Sequence, residues 1–312
     1  MSKHKIAVVG IGKISLDQHL PVIAKNEKFE LVAVVSQRGI RVDNVPTFSN
    51  QVELFAAIPE LDAVANCVPP LVRHTMVREA LDAGKHVLIE KPPSPSVSEF
   101  EDMISHARQK NRVLFATWHS QFNEAVDQTR DILARDGVKS IRIDWRESVR
   151  KWHPGQDWVW EPGGFGVCDP GINALSILTK IMPEPVFVKK ATLEFPANRQ
   201  TPVGAEITYK TANGSDTDIS AGFNWLEESG EIWTLTIETA KGQRLLLEAG
   251  GTKLSIDGKL AIENESAEYE AIYERFDELL RTGQSDTHGA PLRLMADTFL
   301  IADRVNVAPF NW

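Results

Sequence analysis

Two stretches set an amine, a carboxylate and an amide where they could handle one proton. "HVLIEKPPS", residues 86–94, carries Lys91, and "GGFGVCDPGINALSI", residues 163–177, carries Asp169 and Asn173. An asparagine amide is no base near neutral pH, so Lys91 and Asp169 are the titratable candidates for taking a proton from a hydroxyl. Asp169 and Asn173 stand four residues apart, which puts them on one side of a helical turn. Asp169-Pro170 is also a helix-start signature, because the carboxylate can accept orphan N–H groups and proline suits the first position. Asp169 is therefore expected both to cap and to work. The glycines at 163, 164 and 166 allow the chain to approach a ligand closely. Plain solvent exposure is the commonest fate of a lysine. Against it, Pro92-Pro93 restricts Lys91 to extended backbone and can hold a cis bond, presenting the amine from a stiff turn.

These groups need elements to hold them. "KIAVVGIG", "FELVAVVS", "LDAVANCV", "HVLIE" and "RVLFAT" are β-branched-rich runs of strand length. Between them, "DQHLPVIAKN", "QVELFAAI", "LVRHTMVREALDAG" and "SVSEFEDMISHARQKN" have helical periodicity, with Gly84 placed as a C-cap. The alternation predicts a doubly wound parallel sheet, whose ligands lie beyond the carboxyl ends of the strands. Lys91 is at such an end. The loop Gly10-Ile11-Gly12-Lys13-Ile14 follows the first strand and opens a helix, as a dinucleotide-binding turn does, although Ser15 holds the third fingerprint position. The second strand ends in Ser36, Gln37 and Arg38 rather than an acid. Arg38 could pair with a 2′-phosphate, which predicts NADP with NAD as the weaker alternative; a solvated loop arginine is the other reading.

With 312 residues, two domains are expected, 1–120 for the dinucleotide and 121–312 for the substrate. A net charge of −9 disfavours nucleic acid and anionic membranes as partners and leaves a small molecule. Cys67 and Cys168 have no metal-ligand spacing around them, so no metal and no disulfide is expected. No apolar run reaches the roughly 18 residues needed to span a bilayer, and a cytoplasmic location is expected.

The second half begins with a helix at "EAVDQTRDILARDG" and the alternating strand "KSIRIDWRESVR". Further strands are predicted at 186–195, 204–211, 216–225, 231–239 and 243–249, forming one open antiparallel sheet. Two helices, "SAEYEAIYERFDELLRTG" and "GAPLRLMADTFLIADRVN", close the chain. Between strand and helix, "RKWHPGQDWVWEPGGFG" is dense in aromatic residues. Trp152 offers an apolar face for a sugar ring, and His153 with Glu147 can bond its hydroxyls. Trp158 serves equally well as a loop anchor. His119, in "TWHSQF", could face the same cleft.

"ALDAGKHVLIEKPPS", with Gly10, Gly12 and "CVPPLVRH", resembles the Gfo/Idh/MocA family (glucose-fructose oxidoreductase, inositol dehydrogenase, rhizopine catabolism), whose hallmark is the Glu90-Lys91-Pro92 triplet. The resemblance implies an N-terminal Rossmann domain, a C-terminal α/β domain with a largely antiparallel open sheet, and NAD(P)-dependent oxidation of a sugar or polyol. It further implies that Glu90 meets the nicotinamide ribose, that Lys91 lies at the cofactor, that Val68, Pro69, His74 and Trp160 line it, and that the bare sheet face forms a homo-oligomer, a dimer at least; His74 serves equally well as a helix-surface histidine. In that family a histidine that handles the proton usually follows the aspartate by four residues. Asn173 departs from this and points to a more acidic hydroxyl, the anomeric one. "DPGIN", "KWHPG" and "GKIS…DQHLP" are similar to bacterial aldose 1-dehydrogenases of the L-arabinose/D-galactose type. An inositol or keto-sugar secondary-alcohol dehydrogenase, or a sensor of the same fold without turnover, are the alternatives. For the aldose reading, Lys91, His119, Glu147, Trp152, His153, Asp169 and Asn173 hold the substrate.

Overall fold

The computed structural model describes residues 3–214 and 217–312. The chain forms two compact units, Met1–His119 with Ala267–Gly289, and Ser120–Ser266 with Ala290–Trp312. The single boundary expected at 120 is thus corrected, because the chain returns to its first unit. The returning helix, Glu268–Thr282, stacks Phe276 on Phe29 at 5.7 Å and on Phe115 at 6.1 Å, an aromatic core that a cut at 120 would divide.

The first unit runs β1 (His4–Val9), α1 (Leu20–Lys25), β2 (Phe29–Val35), β3 (Thr47–Phe48), α2 (Gln51–Ala57), β4 (Ala63–Asn66), α3 (Pro70–Asp82), β5 (His86–Ile89), α4 (Val97–Gln109) and β6 (Leu114–Ala116). All six strands are parallel in the order β3-β2-β1-β4-β5-β6. This is the Rossmann order, and the chain reverses direction across the sheet between β1 and β4. Residues 6–9 of β1 and 87–89 of β5 are wholly buried, which is why the central strands read as unbroken apolar runs rather than alternating ones. Asn50 and Ser96 cap α2 and α4 by accepting from the backbone N–H of Glu53 and Glu99. Gly84 leaves α3 at φ +74°, in the left-handed region open to glycine. The helix expected after the glycine loop opens differently. Residues Ser15–His19 form a wide π-type turn before α1, because Pro21 has no N–H to give to the preceding turn.

His86, at the start of β5, accepts the backbone N–H of Val113 on Nδ1 at 2.9 Å. Burial, helped by the Arg112 charge, pushes its pKa down from 6.5 to about 4. The unfolded chain therefore binds the extra proton between these two values. The stability His86 contributes is complete above pH 6.5 and is lost as pH falls toward 4. We expect the melting temperature of His86→Gln, whose side-chain oxygen can still accept from Val113, to fall less steeply than that of the natural protein across this window. Equal slopes would refute the assignment.

The second unit runs α5 (Glu124–Asp136), β7 (Val138–Arg146), α6 (Val149–Trp152), α7 (Cys168–Ile181), β8 (Val186–Pro196), β9 (Gly204–Thr211), β10 (Asp218–Asn224), β11 (Ile232–Thr239), β12 (Arg244–Glu248), β13 (Lys253–Ile256) and β14 (Lys259–Glu263). After the returning helix, α8, the chain ends in α9 (Ala290–Ile301) and β15 (Asp303–Val307). The nine strands lie in the order β14-β13-β12-β11-β7-β10-β9-β8-β15, antiparallel except for β10 with β7 and β15 with β8. Residue 216, the expected start of one strand, lies outside the described residues. The final helix is shorter than expected: Asp303–Val307 pairs with β8, and Arg304 covers Phe195. α7 presses so closely on the sheet that a Cβ on Gly171 would lie 2.7 Å from the Phe223 ring. On the other side of β7, Arg142 and Arg146 both pair with Asp144, and Arg142 also pairs with Glu206. Among the described residues no helix is long and apolar enough to cross a membrane.

Candidate active site

The glycine loop sits where β1 and β4 diverge. Gly10 has φ +93°, and a Cβ there would lie 2.8 Å from the Val68 backbone nitrogen, so both conformation and space demand glycine. Gly12 faces open space within 4 Å, room for a phosphate to approach the backbone. Ser15 is buried; its hydroxyl accepts the Gly12 N–H and donates to the Gly12 carbonyl, both at 2.8 Å. The serine closes the turn itself, which accounts for its place in the third fingerprint position. Arg38 is exposed and donates to the Ile11 carbonyl at 2.7 Å, so a guanidinium is fixed at the rim of the loop. Gln37 is exposed beside it, whereas the Ser36 hydroxyl accepts from the Ile40 N–H. Lys13 pairs with Asp17. An open backbone turn with a cation at its edge and no acid ending β2 fits a dinucleotide, including one with a 2′-phosphate.

Lys91 is half-buried, and the Lys91–Pro92 bond is cis. Its N–H donates to Glu90 Oε2 at 3.0 Å. Glu90 is only 3% exposed; His19 and Tyr269 both donate to its Oε1 at 2.9 Å. Burial alone would raise its pKa, but the bond from His19 and the charges around it win and lower it to about 2. Three groups of the first unit thus hold the Glu90 carboxylate in place. Beneath the same turn lies Arg73, 3% exposed, which donates to the carbonyls of Glu90 and Val68 at 2.5 Å each and to that of Pro92. Val68 is buried and Pro69 exposed. His74, expected along the cofactor, instead bonds Asp102 at 2.7 Å, and Arg78 shares that carboxylate. It belongs to the junction of α3 and α4. His119 bonds Glu268 at 2.8 Å and stacks on Tyr269; burial opposes its charge, but Glu268 outweighs that and the pKa is raised.

In the second unit Asp169 is 6% exposed on the first turn of α7, and its Oδ2 is 3.3 Å from His153 Nε2. The N-cap is Val167, so Asp169 lies inside the helix and the expected capping role is corrected. One turn on, Asn173 is half-buried, and its side chain has no hydrogen-bond partner among the described residues. His153 stands edge-on to Trp158 at 5.8 Å and to Trp225 at 5.5 Å. Trp152 packs on Trp233. Glu147 accepts the indole N–H of Trp225 on one oxygen and that of Trp233 on the other. Trp160, expected at the cofactor, has no exposed surface and packs on Phe310 at 4.7 Å and Trp225 at 5.3 Å; it is core. Gly164 and Gly166 admit the protein's own backbone rather than a ligand, since a Cβ on either would collide with the carbonyl of Trp158 or Pro202.

The second unit thus offers a carboxylate, an imidazole and an amide beside a wall of indoles, a setting for a polar ring compound. Sequence reasoning passed over His19, Arg73, Tyr269, Trp225 and Trp233. Only His19 had a visible signal, an odd polar residue on a helix facing a buried sheet.

The family model described as an oxidoreductase family with an NAD-binding Rossmann fold, Gfo/Idh/MocA, matches residues 4–117. A galactose 1-dehydrogenase from Pseudomonas fluorescens is 41% identical over 310 residues, 99% of each chain. The crystal structure of a D-galactose-1-dehydrogenase from Rhizobium etli superposes with a TM-score of 0.95 at 45% identity, covering 100% of this chain and 99% of that one. A 3-ketoreductase from Actinomadura kijaniata, in complex with TDP-benzene and NADP, shares the fold at 17% identity and a TM-score of 0.83, covering 98% of this chain and 100% of its own.

Proposed function

Because the chain belongs to the Gfo/Idh/MocA family of oxidoreductases, we propose that it oxidises an aldopyranose of the D-galactose or L-arabinose type at the anomeric carbon, releasing the lactone and preferring NADP to NAD. The whole-length likeness to a galactose 1-dehydrogenase carries this reading. Asn173 supports it from the chemistry, because the helical turn bearing Asp169 has no second base and an anomeric hydroxyl demands less of one.

Gly10, Ile11, Gly12, Lys13 and Ile14, with Ser36, Gln37, Arg38, Val68 and Pro69, would hold the dinucleotide, whose nicotinamide supplies the hydride acceptor. Lys91 takes the proton of the anomeric hydroxyl. Asp169, oriented by His153, and Asn173 fix the ring hydroxyls, with His119 and Glu147 as further hydrogen-bonding groups and Trp152 as an apolar face. Positioning does most of the work that falls to the protein.

The test follows nicotinamide absorbance with D-galactose, L-arabinose and myo-inositol, each with NADP and with NAD. D-Galactose or L-arabinose should reduce NADP and yield a lactone. Arg38→Ala should lower kcat/KM for NADP about 10- to 100-fold, the loss of one charge-assisted bond, and leave NAD almost unchanged. Turnover of myo-inositol alone would favour the secondary-alcohol reading. No turnover of any sugar, with the dinucleotide still raising the melting temperature, would make the chain a sensor.

A further inference from the structure

His19 and Tyr269 reach the first unit from distant parts of the chain and meet on one carboxylate. His19 sits on the π-type turn directly after the glycine loop and is wholly buried. Its Nε2–H donates to Glu90 Oε1 at 2.9 Å, and the Tyr269 hydroxyl donates to the same oxygen at 2.9 Å. The other oxygen, Oε2, receives the Lys91 N–H at 3.0 Å. Behind His19, Nδ1 lies 2.8 Å from the Tyr273 hydroxyl, and the ring stands edge-on to Tyr269 at 5.0 Å and to Tyr273 at 5.8 Å. Burial opposes a charge on His19, but Cys67, Tyr273 and Glu90 around it raise its pKa well above 6.5. An imidazolium can donate from both nitrogens at once.

A buried ion pair is a poor device for stability alone, since well-packed apolar residues of the same volume would serve as well or better. What it does supply is fixed geometry. The chain of bonds starts on the turn after the glycine loop and ends on the Lys91 amide.

We propose that His19 and Tyr269 are positioning residues for Lys91: together they lock the Glu90 carboxylate, which holds the Lys91 amide and so sets where the Lys91 amine leaves the backbone. The inference rests on the proton-accepting role given to Lys91 above. Neither residue takes part in the proton transfer itself. Their loss lowers turnover without weakening sugar binding.

The experiment compares Tyr269→Phe, His19→Leu and His19→Gln, with Lys91→Ala as reference. It reads kcat, sugar KM and, in the dinucleotide-free protein, hydrogen exchange at the Lys91 amide. Tyr269→Phe should lower kcat about 10-fold and His19→Leu about 100-fold, the loss of one bond to a charged acceptor in each case, with KM within twofold. Exchange at Lys91 should accelerate in both. His19→Gln, whose amide can still donate to Glu90, should recover most of the loss. If His19→Leu does not fold, Tyr269→Phe and His19→Gln decide. Natural kcat and natural Lys91 exchange in the folded variants, with Lys91→Ala inactive, would overturn the inference and spare the reading beneath it. Full turnover in Lys91→Ala would overturn both.

Discussion

Lys91→Met should lower kcat about a thousandfold, in the middle of the range that positioned proton transfer contributes, while the dinucleotide binds almost as before. Methionine keeps most of the apolar stem and removes the amine. The turn it occupies should survive, because Glu90 and Arg73 hold that turn through the backbone N–H of Lys91 and the neighbouring carbonyls. A second replacement separates two ways in which a lysine can help. If Lys91 merely supplied positive charge, Lys91→Arg would retain much of the activity. A guanidinium does not give up its proton in the working range, so a proton acceptor replaced by arginine stays dead. Steady-state rates with a saturating aldose, alongside dinucleotide binding by fluorescence, would distinguish the cases. Turnover within tenfold of the natural protein in Lys91→Met would remove Lys91 from the reaction.

How far the sequence announces this arrangement depends on whether the signal is local. The central parallel strands are buried on both faces, so their apolar runs stand out, and the dinucleotide loop follows from where the first of them ends. Gly10 is legible for the same reason: its conformation is dictated within a few residues. β15 is not legible, because Asp303–Val307 becomes a strand only by pairing with β8 more than a hundred residues earlier. The helical spacing before it runs on without a stop signal. Exposure misled in both directions. Trp160 and His74 have residue types that suit a binding site, yet one is core and the other joins two helices. Arg73 looks like a helix-surface residue, yet it is buried beneath the Lys91 turn. Partners such as Glu90 and Tyr269, 179 positions apart, leave no trace in periodicity. Burial of a polar group is decided by what lies across from it, and that is tertiary information.

Arg73→Met should cost more stability than any exposed substitution in the first unit, about 3 kcal/mol or more, because it strands the carbonyls of Val68, Glu90 and Pro92 in a buried place with no donor. Methionine fills much of the same volume, so a cavity contributes little to the loss. A unit of this size should melt about 10 °C lower. Arg73→Lys retains the charge, but a single ammonium cannot reproduce the planar fork that reaches the loop after β4 and the turn after β5 together, so it should recover only part of the difference. The loss should not stop at stability. Val68 abuts Gly10 of the dinucleotide loop, and Glu90 and Pro92 flank Lys91, so one guanidinium fixes the backbone on both sides. Below its melting temperature, folded Arg73→Met should therefore show a higher dinucleotide Kd and a lower kcat at once, whereas a residue that served packing alone would shift melting and leave both constants in place. Melting curves with and without dinucleotide, paired with kinetics about 20 °C below the midpoint, separate these outcomes. A variant that melts like the natural protein would mean that water or neighbouring donors satisfy those carbonyls without Arg73.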